Sequence, residues 1–352
     1  MKLDRVALTA AVAAMAGTFV LTGAALAQDK KVRWKMASSF AGTLDVVGEG
    51  GPRFSKLVDA ISGGNLEIKF FEPGALVPPL LVFDPVSAGS IDAAWTTPGF
   101  HAGKIPASPW FTTVPFGPGL SEFLGWLHYG GGLDIKSEIY GKYGNVGLSC
   151  NAIAPEASGW FRKEIKNVTD LKGLKMRFFG LGAKVMDKLG VSTQLIAPGD
   201  IYPALELGTI DATELSFPSM DVKMGFHQVA KHYYFPGWHQ MSSITELLMN
   251  QEKWKALTAQ QRAQIEAACN DTILWGMYTS DARQFKALQE VKAKGVTIHQ
   301  WSPEILKAMR TAWDDVVKEE SVKDPNFKKA HESYTAFRAN FAVWREVGYL
   351  KD

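Results

Sequence analysis

Short apolar stretches alternate with amphipathic ones over the first two thirds of the chain, and long helical periodicity follows. Residues 32–37 alternate as a strand, and residues 48–62 place Phe54, Leu57, Val58 and Ile61 on one face of a helix. A Gly63-Gly64-Asn65 turn leads into a second alternating strand at 66–71. The same order of strand, helix and strand returns at 175–178, 182–189 and 192–196, with a further strand at 245–250. Such alternation predicts α/β lobes with mainly parallel sheets. From Glu252 the pattern turns helical. Thr258, with Gln261 three residues on, reads as a capping box that opens a helix running to about Lys294. After a strand at 296–300, Ser302-Pro303-Glu304 begins another helix towards Trp344, interrupted at Asp324-Pro325.

One internal echo organises this pattern. Residues 86–94 (VSAGSIDAA) and 205–213 (LELGTIDAT) follow helical stretches at 80–87 and 200–207, and each runs into a short apolar strand. Gly89 and Gly208 suit the left-handed turn that ends a helix, and the Ile-Asp-Ala that follows starts a buried strand. A unit used twice suggests two α/β lobes of related design. The expected division is 28–150 for lobe I and 151–245 for lobe II, with 246–352 supplying a returning strand and long helices across both.

The first 27 residues read differently. Lys2 and Arg5 precede an apolar run, residues 6–26, and Ala25-Leu26-Ala27 is a small-x-small cleavage site. An uncleaved membrane anchor is the other reading, but the polar residues from Gln28 favour a cleaved signal peptide and a periplasmic product. No later stretch approaches the roughly 18 apolar residues of a membrane span. With 38 Lys+Arg against 36 Asp+Glu there is no basic field that would call for nucleic acid. Export permits a disulfide between Cys150 and Cys269, but both lie in segments that look buried, and two free thiols are expected. The 11 Trp and 20 Phe are mostly core residues, with enough left over to enclose a small ligand.

Enzyme signatures are missing. The chain holds no G-x-S-x-G, H-E-x-x-H or Walker A motif, and no G-x-G-x-x-G followed by a ribose-binding acid. Gly130-Gly131-Gly132 reads as a turn. A binding protein, not an enzyme, is the expectation. An exported lyase or hydrolase using Glu156 and Glu214 as acid and base is the rival, together with a ligand sensor of the same fold.

Several longer motifs carry a family likeness. They are the two Gly-x-Ile-Asp units, LKGLKMR at 171–177, GKIPA at 103–107, TVPFG at 113–117, GWFRKE at 159–164 and YFPGW at 234–238. Over residues 32–350 the chain resembles the solute-binding proteins of TRAP transporters, and the finer motifs resemble the branch that binds 2-oxo acids or lactate. The likeness implies a two-lobed periplasmic-binding-protein type II fold with long C-terminal helices. It also implies a small organic acid as ligand, a membrane permease as partner and, in some members, a homodimer made by the tail helices.

Site residues follow from the same motifs. Arg177 matches the arginine that grips the ligand carboxylate, where a planar guanidinium offers two parallel charge-assisted hydrogen bonds. Asn151 resembles a residue that hydrogen-bonds the ligand, and Phe100 and His101 fall where the branch has aromatic pocket walls. Glu156, Glu214 and Gln240 match positions around a bound Na⁺ or Ca²⁺. Here the types at 156 and 240 look exchanged, which keeps one carboxylate and one amide for a hard cation. Leu215 stands in place of a tryptophan, and Gly99 stands where an aromatic often precedes Phe100. Both departures imply a roomier pocket, for an acid bulkier than pyruvate.

Overall fold

The computed structural model describes residues 31–350; the expected signal peptide, 1–27, lies outside them. The described residues form strands β1 (Val32–Ser38), β2 (Leu66–Phe71), β3 (Ala93–Thr96), β4 (Asn145–Ile153), β5 (Gly159–Phe161) and β6 (Lys175–Arg177). They continue with β7 (Ser192–Gln194), β8 (Ala212–Thr213), β9 (His232–Phe235), β10 (Ser243–Asn250) and β11 (Thr297–Gln300). Two sheets result, ordered β2-β1-β3-β10-β4 and β11-β9-β5-β8-β6-β7.

The repeated sequence unit has the same job in both sheets. Gly89 and Gly208 each adopt φ 72° after a helix, Phe83–Ser87 in one case and Pro198–Glu206 in the other. The aspartate three residues after each glycine then caps the neighbouring strand. Asp92 Oδ2 accepts from the Lys35 amide at 2.8 Å, and Asp211 Oδ2 accepts from the Lys175 amide at 3.0 Å. The alanine that follows pairs in parallel with a methionine, Ala93 with Met36 and Ala212 with Met176. The echo is thus a device for starting two adjacent parallel strands together.

The first sheet has two parallel and two antiparallel pairs, and the second is mainly parallel, with three parallel pairs and two antiparallel. The consecutive units give parallel β2-β1-β3 and β8-β6-β7, but β10 and β5 run antiparallel to both of their neighbours. Both of these strands begin where the chain crosses from one sheet to the other, whereas β11, reached by a third crossing, runs parallel to β9. Those crossings are residues 154–158 and 236–242, together with the helix Ala259–Ala293 that leads from β10 towards β11.

That long helix starts as expected, with Thr258 and Gln261 in a reciprocal capping box. It lies along β4, and there Cys150 and Cys269 are joined in a disulfide across a sequence separation of 119. The expectation of two free thiols is therefore wrong. Both cysteines are buried, as expected, but the register of the helix on β4 brings them together, and nothing local in the sequence encodes that register. The final helices are Pro303–Lys323 and Pro325–Gly348, divided where Asp324 leaves the helical conformation and caps its successor by accepting from the Phe327 amide at 2.7 Å.

The helix Gly50–Ile61 buries Phe54 and Val58 as its periodicity predicts, but Ile61 is 42% exposed at the last turn. Most of the tryptophans are core: Trp95, Trp110, Trp126 and Trp160 are fully buried.

Candidate ligand-binding cleft

A small cavity of about 40 Å³ lies between the two sheets. Phe40, Val47 and Phe100 wall it from the first sheet, and Phe179, Leu215 and Met220 from the loops of the second. Its polar side is Arg177, Glu156 and Gln240, with Thr97, Ser216 and Thr245. Apolar walls with a few converging polar groups are what a site for a small amphipathic acid requires.

Arg177 closes β6 opposite Thr213 of β8, so the next residue of that chain, Glu214, lies beside its guanidinium. Arg177 Nη1 donates to both Glu214 carboxylate oxygens, at 2.8 and 3.1 Å, and to the Glu214 carbonyl at 2.6 Å. Its Nε donates to the Ile196 carbonyl at 3.3 Å. Among the described residues Nη2 has no protein acceptor, so one edge of the guanidinium is left for the cavity. Glu214 itself does not line the cavity and stands behind the arginine.

Glu156 and Gln240 come from the two crossings, which lie side by side. The Glu156 amide donates to the Gln240 carbonyl at 3.1 Å, and the Gly237 amide donates to the Glu156 carbonyl at 3.0 Å. Only glycine fits at 237, where a Cβ would come within 2.2 Å of the Glu156 carbonyl oxygen. Glu156 Oε1 accepts from the Ser216 hydroxyl at 3.0 Å, while Glu156 Oε2 and Gln240 Oε1 are buried with no partner. His239 Nε2 stands 3.8 Å from Glu156 Oε2 and 3.9 Å from Glu214 Oε1, too far to hydrogen-bond.

The electrostatics of this wall are unbalanced. Burial pushes the Glu156 carboxyl well above its ordinary range, and the neighbouring Glu214 and Asp221 carboxylates add to the shift. Glu214 is raised by burial even with Arg177 opposing. Asp221, which accepts from Trp160 Nε1 at 2.9 Å and the Tyr233 hydroxyl at 2.8 Å, is raised by burial to about 7. His239 is lowered to about 3 by burial and then by Arg177, so it stays neutral. Three buried carboxyl groups therefore answer to one arginine.

Two expected site residues, the wall residue His101 and the ligand-bonding Asn151, lie elsewhere. His101 follows Phe100 on the short turn Pro98–His101, where successive side chains diverge by about 120°. Phe100 enters the cavity, while His101 points into the first sheet's own core, 3.3 Å from Glu246. Asn151 is buried under the loop that follows β1, its Nδ2 donating to the Val46 carbonyl at 3.2 Å. A Cβ on Gly276 of the long helix would meet the Asn151 Oδ1 at 1.9 Å, so the side chain fills a close helix–sheet contact. Val46 holds a left-handed φ of 57°, unfavourable for a β-branched residue, and the next residue, Val47, reaches the cavity. Asn151 thus bears on the cavity only through the loop it pins.

The space expected at Gly99 is not open. A Cβ there would come within 2.2 Å of Phe179 Cζ, so an aromatic ring from the second sheet occupies the place of the missing side chain. Leu215 does line the cavity. Phe179 and Asp221 were absent from the sequence reading. Phe179 had an available signal, since it follows Arg177 by two on extended backbone just past β6 and so shares its side. Asp221 had none, because its partners come from two other segments.

Comparison with known proteins agrees with this architecture. Residues 37–324 match the family of bacterial extracellular solute-binding proteins, family 7. A monocarboxylate 2-oxoacid-binding periplasmic protein of Nostoc is 35% identical over 342 residues, covering 97% of this chain and 94% of the relative. A TRAP transporter solute-binding protein from Bordetella bronchiseptica, a dimer with calcium and picolinate in one site and an apo second site, superposes with TM-score 0.88 at 37% identity, covering 91% and 95% of the chains. One from Pseudoalteromonas atlantica, with sodium and pyruvate bound, gives TM-score 0.84 at 31% identity, covering 90% and 96%. Such proteins are extracytoplasmic binding components that work with a membrane permease and are not enzymes, which removes the acid–base reading of Glu156 and Glu214. By its matched span, its close relative and its fold, this chain belongs to the family 7 solute-binding proteins of TRAP transporters.

Proposed function

We propose that this chain captures a 2-oxo or 2-hydroxy monocarboxylate between its lobes and hands it to a permease, with Arg177 holding the carboxylate. One observation carries the reading: a buried arginine on the cavity wall has Nη2 free of protein acceptors while its other donors are engaged. Nη1 and Nε already have partners, so the ligand is gripped from the Nη2 edge and not by the whole fork. Opposite that edge the walls are apolar, which suits the hydrocarbon end of the acid.

A Na⁺ or Ca²⁺ ion fits the same wall. No group of three His, Cys, Asp or Glu side chains among the described residues could hold an ion alone. Hard cations also take amide and carbonyl oxygens, and the unpartnered Glu156 Oε2 and Gln240 Oε1, with Glu214 nearby, are such donors. Bound there, the ion would supply the positive charge that three buried carboxyl groups lack and would attract the ligand's oxygens.

The lobes divide near 28–150 and 151–245, with 246–352 spanning both; the two sheets support two lobes, while both boundaries fall inside strands of the first sheet, β4 and β10. The ligand stabilises the closed arrangement by touching both lobes, and selectivity follows from how much better it binds closed than open. Leucine in place of a tryptophan at 215, on the cavity wall, would favour acids larger than pyruvate. Residues 1–27 direct export. The exposed Val343, Trp344 and Val347 of the last helix support a homodimer through that helix, to be read by native mass spectrometry.

Calorimetric titration of the mature protein with 2-oxo acids, in Na⁺, Ca²⁺ or chelator, tests the reading. Native protein is expected to bind, Arg177→Ala to lose at least about 100-fold, and Arg177→Lys to recover only part of it. Unchanged binding by Arg177→Ala would sink the carboxylate grip. Indifference to chelator and to Na⁺ would remove the ion alone.

A further inference from the structure

Arg177 and Phe179 are two residues apart on extended backbone, so their side chains leave on the same side. Phe179 is almost completely buried, and its ring crosses to the opposite sheet's side of the cavity. There it rests on Gly99: an added Cβ would meet Phe179 Cζ at 2.2 Å and Cε2 at 2.7 Å. Gly99 is not one of the glycines with a left-handed φ, so its backbone conformation would accept alanine. The ring alone excludes a side chain. Phe100 meets the same ring edge-on, with centroids 5.4 Å apart and planes at 89°. The ring therefore has its root beside the guanidinium and its tip on the other lobe.

We infer that Phe179 determines the size of the acid that binds, and that its seat on the bare α-carbon of Gly99 makes this selection a condition of closure. The inference rests on the carboxylate reading above. An acid anchored at Arg177 has to lie against the Phe179 ring. One that fits leaves the ring on Gly99 and the lobes together. One that is too long lifts the ring, and because ring and seat belong to opposite sheets, the lobes separate as it lifts. A ligand favours the closed form only by its differential affinity for it, so an acid that unseats the ring loses affinity even when its carboxylate is well held. The same contact explains why a glycine ahead of Phe100 does not enlarge the pocket. The volume it gives up belongs to the ring.

The test is calorimetric titration with pyruvate and with 2-oxooctanoate on native protein, Phe179→Ala, Phe179→Leu, Gly99→Ala and the double variant Gly99→Ala/Phe179→Leu. Phe179→Ala is expected to shift the affinity ratio towards 2-oxooctanoate by at least roughly tenfold, the scale on which pockets discriminate methylene groups. Gly99→Ala is expected to weaken pyruvate at least roughly tenfold, and the double variant to return to within about threefold of Phe179→Leu, since a smaller side chain removes the clash. A ratio equal in native protein and Phe179→Ala overturns the inference, as does native-like pyruvate binding by Gly99→Ala. If Gly99→Ala fails to fold, the Phe179→Ala ratio still decides. Native protein that responds to no 2-oxo acid overturns the carboxylate reading and this one with it. A native response that Arg177→Ala abolishes, with no change of ratio in Phe179→Ala, removes only the role of the ring.

Discussion

Two clusters of charge are buried in this molecule, and they are built on opposite terms. In the first sheet Glu246 of β10 lies 2.6 Å from Lys136 Nζ and 3.3 Å from His101 Nε2, and it accepts from the Tyr140 hydroxyl at 3.1 Å. Burial alone would raise the Glu246 carboxyl, but Lys136 and His101 outweigh it and hold it low. Beside the cavity, Glu156 is raised well above its ordinary range and keeps one oxygen without a partner. Both clusters are buried. The first matches each charge within the chain, and the second leaves carboxyl groups that protein cations do not match. Balanced buried charge needs no ligand, whereas unmatched charge on a cavity wall is stabilised by whatever cation or proton arrives there.

The comparison makes four predictions. Lys136→Met strips the balanced cluster of its cation and leaves Glu246 buried and uncompensated. It is expected to cost about 3–5 kcal/mol in denaturant unfolding, with little change in the affinity ratio among acids. Glu156→Gln should do the reverse. It keeps an acceptor for Ser216 and removes one unmatched carboxyl, so ligand-free stability should hold or rise by about 1–2 kcal/mol. The thermal shift on adding Ca²⁺ should vanish at the same time, and a shift retained in full would separate Glu156 from any ion.

Asp221 gives an effect that is read through pH. Its folded pKa, about 7, exceeds the ordinary 3.8, so the folded state holds the proton more tightly. The stability it contributes is present in full below 3.8 and is lost as pH rises through about 7. The stability difference between native protein and Asp221→Asn should therefore slope across that window, by at most about 1.4 kcal/mol per pH unit, and level off on either side. A flat difference between pH 4 and 7 would mean that Asp221 titrates normally. The smallest effect is expected at Asp45, whose carboxylate joins Lys223 and Ser219 after β8 to Arg283 of the long helix. Lys223 is 58% exposed, so solvent screens much of this link, and Asp45→Asn should weaken ligand binding only about threefold.

How much of this was legible in the chain follows from the range of each interaction. The helix cap at Thr258, the interruption at Asp324-Pro325, the turns at Gly89 and Gly208 and the strand at 66–71 are local, and their residues announce them. The antiparallel course of β5 and β10 depends on which lobe the chain has just left, and no short window holds that information. Motif likeness found Arg177, Glu156 and Gln240 on one wall, but it could not separate Phe100 from His101, because neighbours on a tight turn face different cores. Gly99 was read as lost volume, since a sequence shows which side chain is missing at a position but not which distant ring has moved in. The cysteine pair failed for the same reason: burial is local in the pattern, and partnership is not.

The disulfide has a consequence for force transmission. Cys150 and Cys269 close a covalent ring that contains β5 to β9, and with them Arg177, Phe179, Glu214 and Gln240. Tension applied to the two ends of the chain takes the shorter path through the sulfur bridge, from β4 directly into the long helix. The loop that holds β5 to β9 then lies off the covalent load path, and only β11, outside the ring and paired with β9, ties the second sheet to the loaded line.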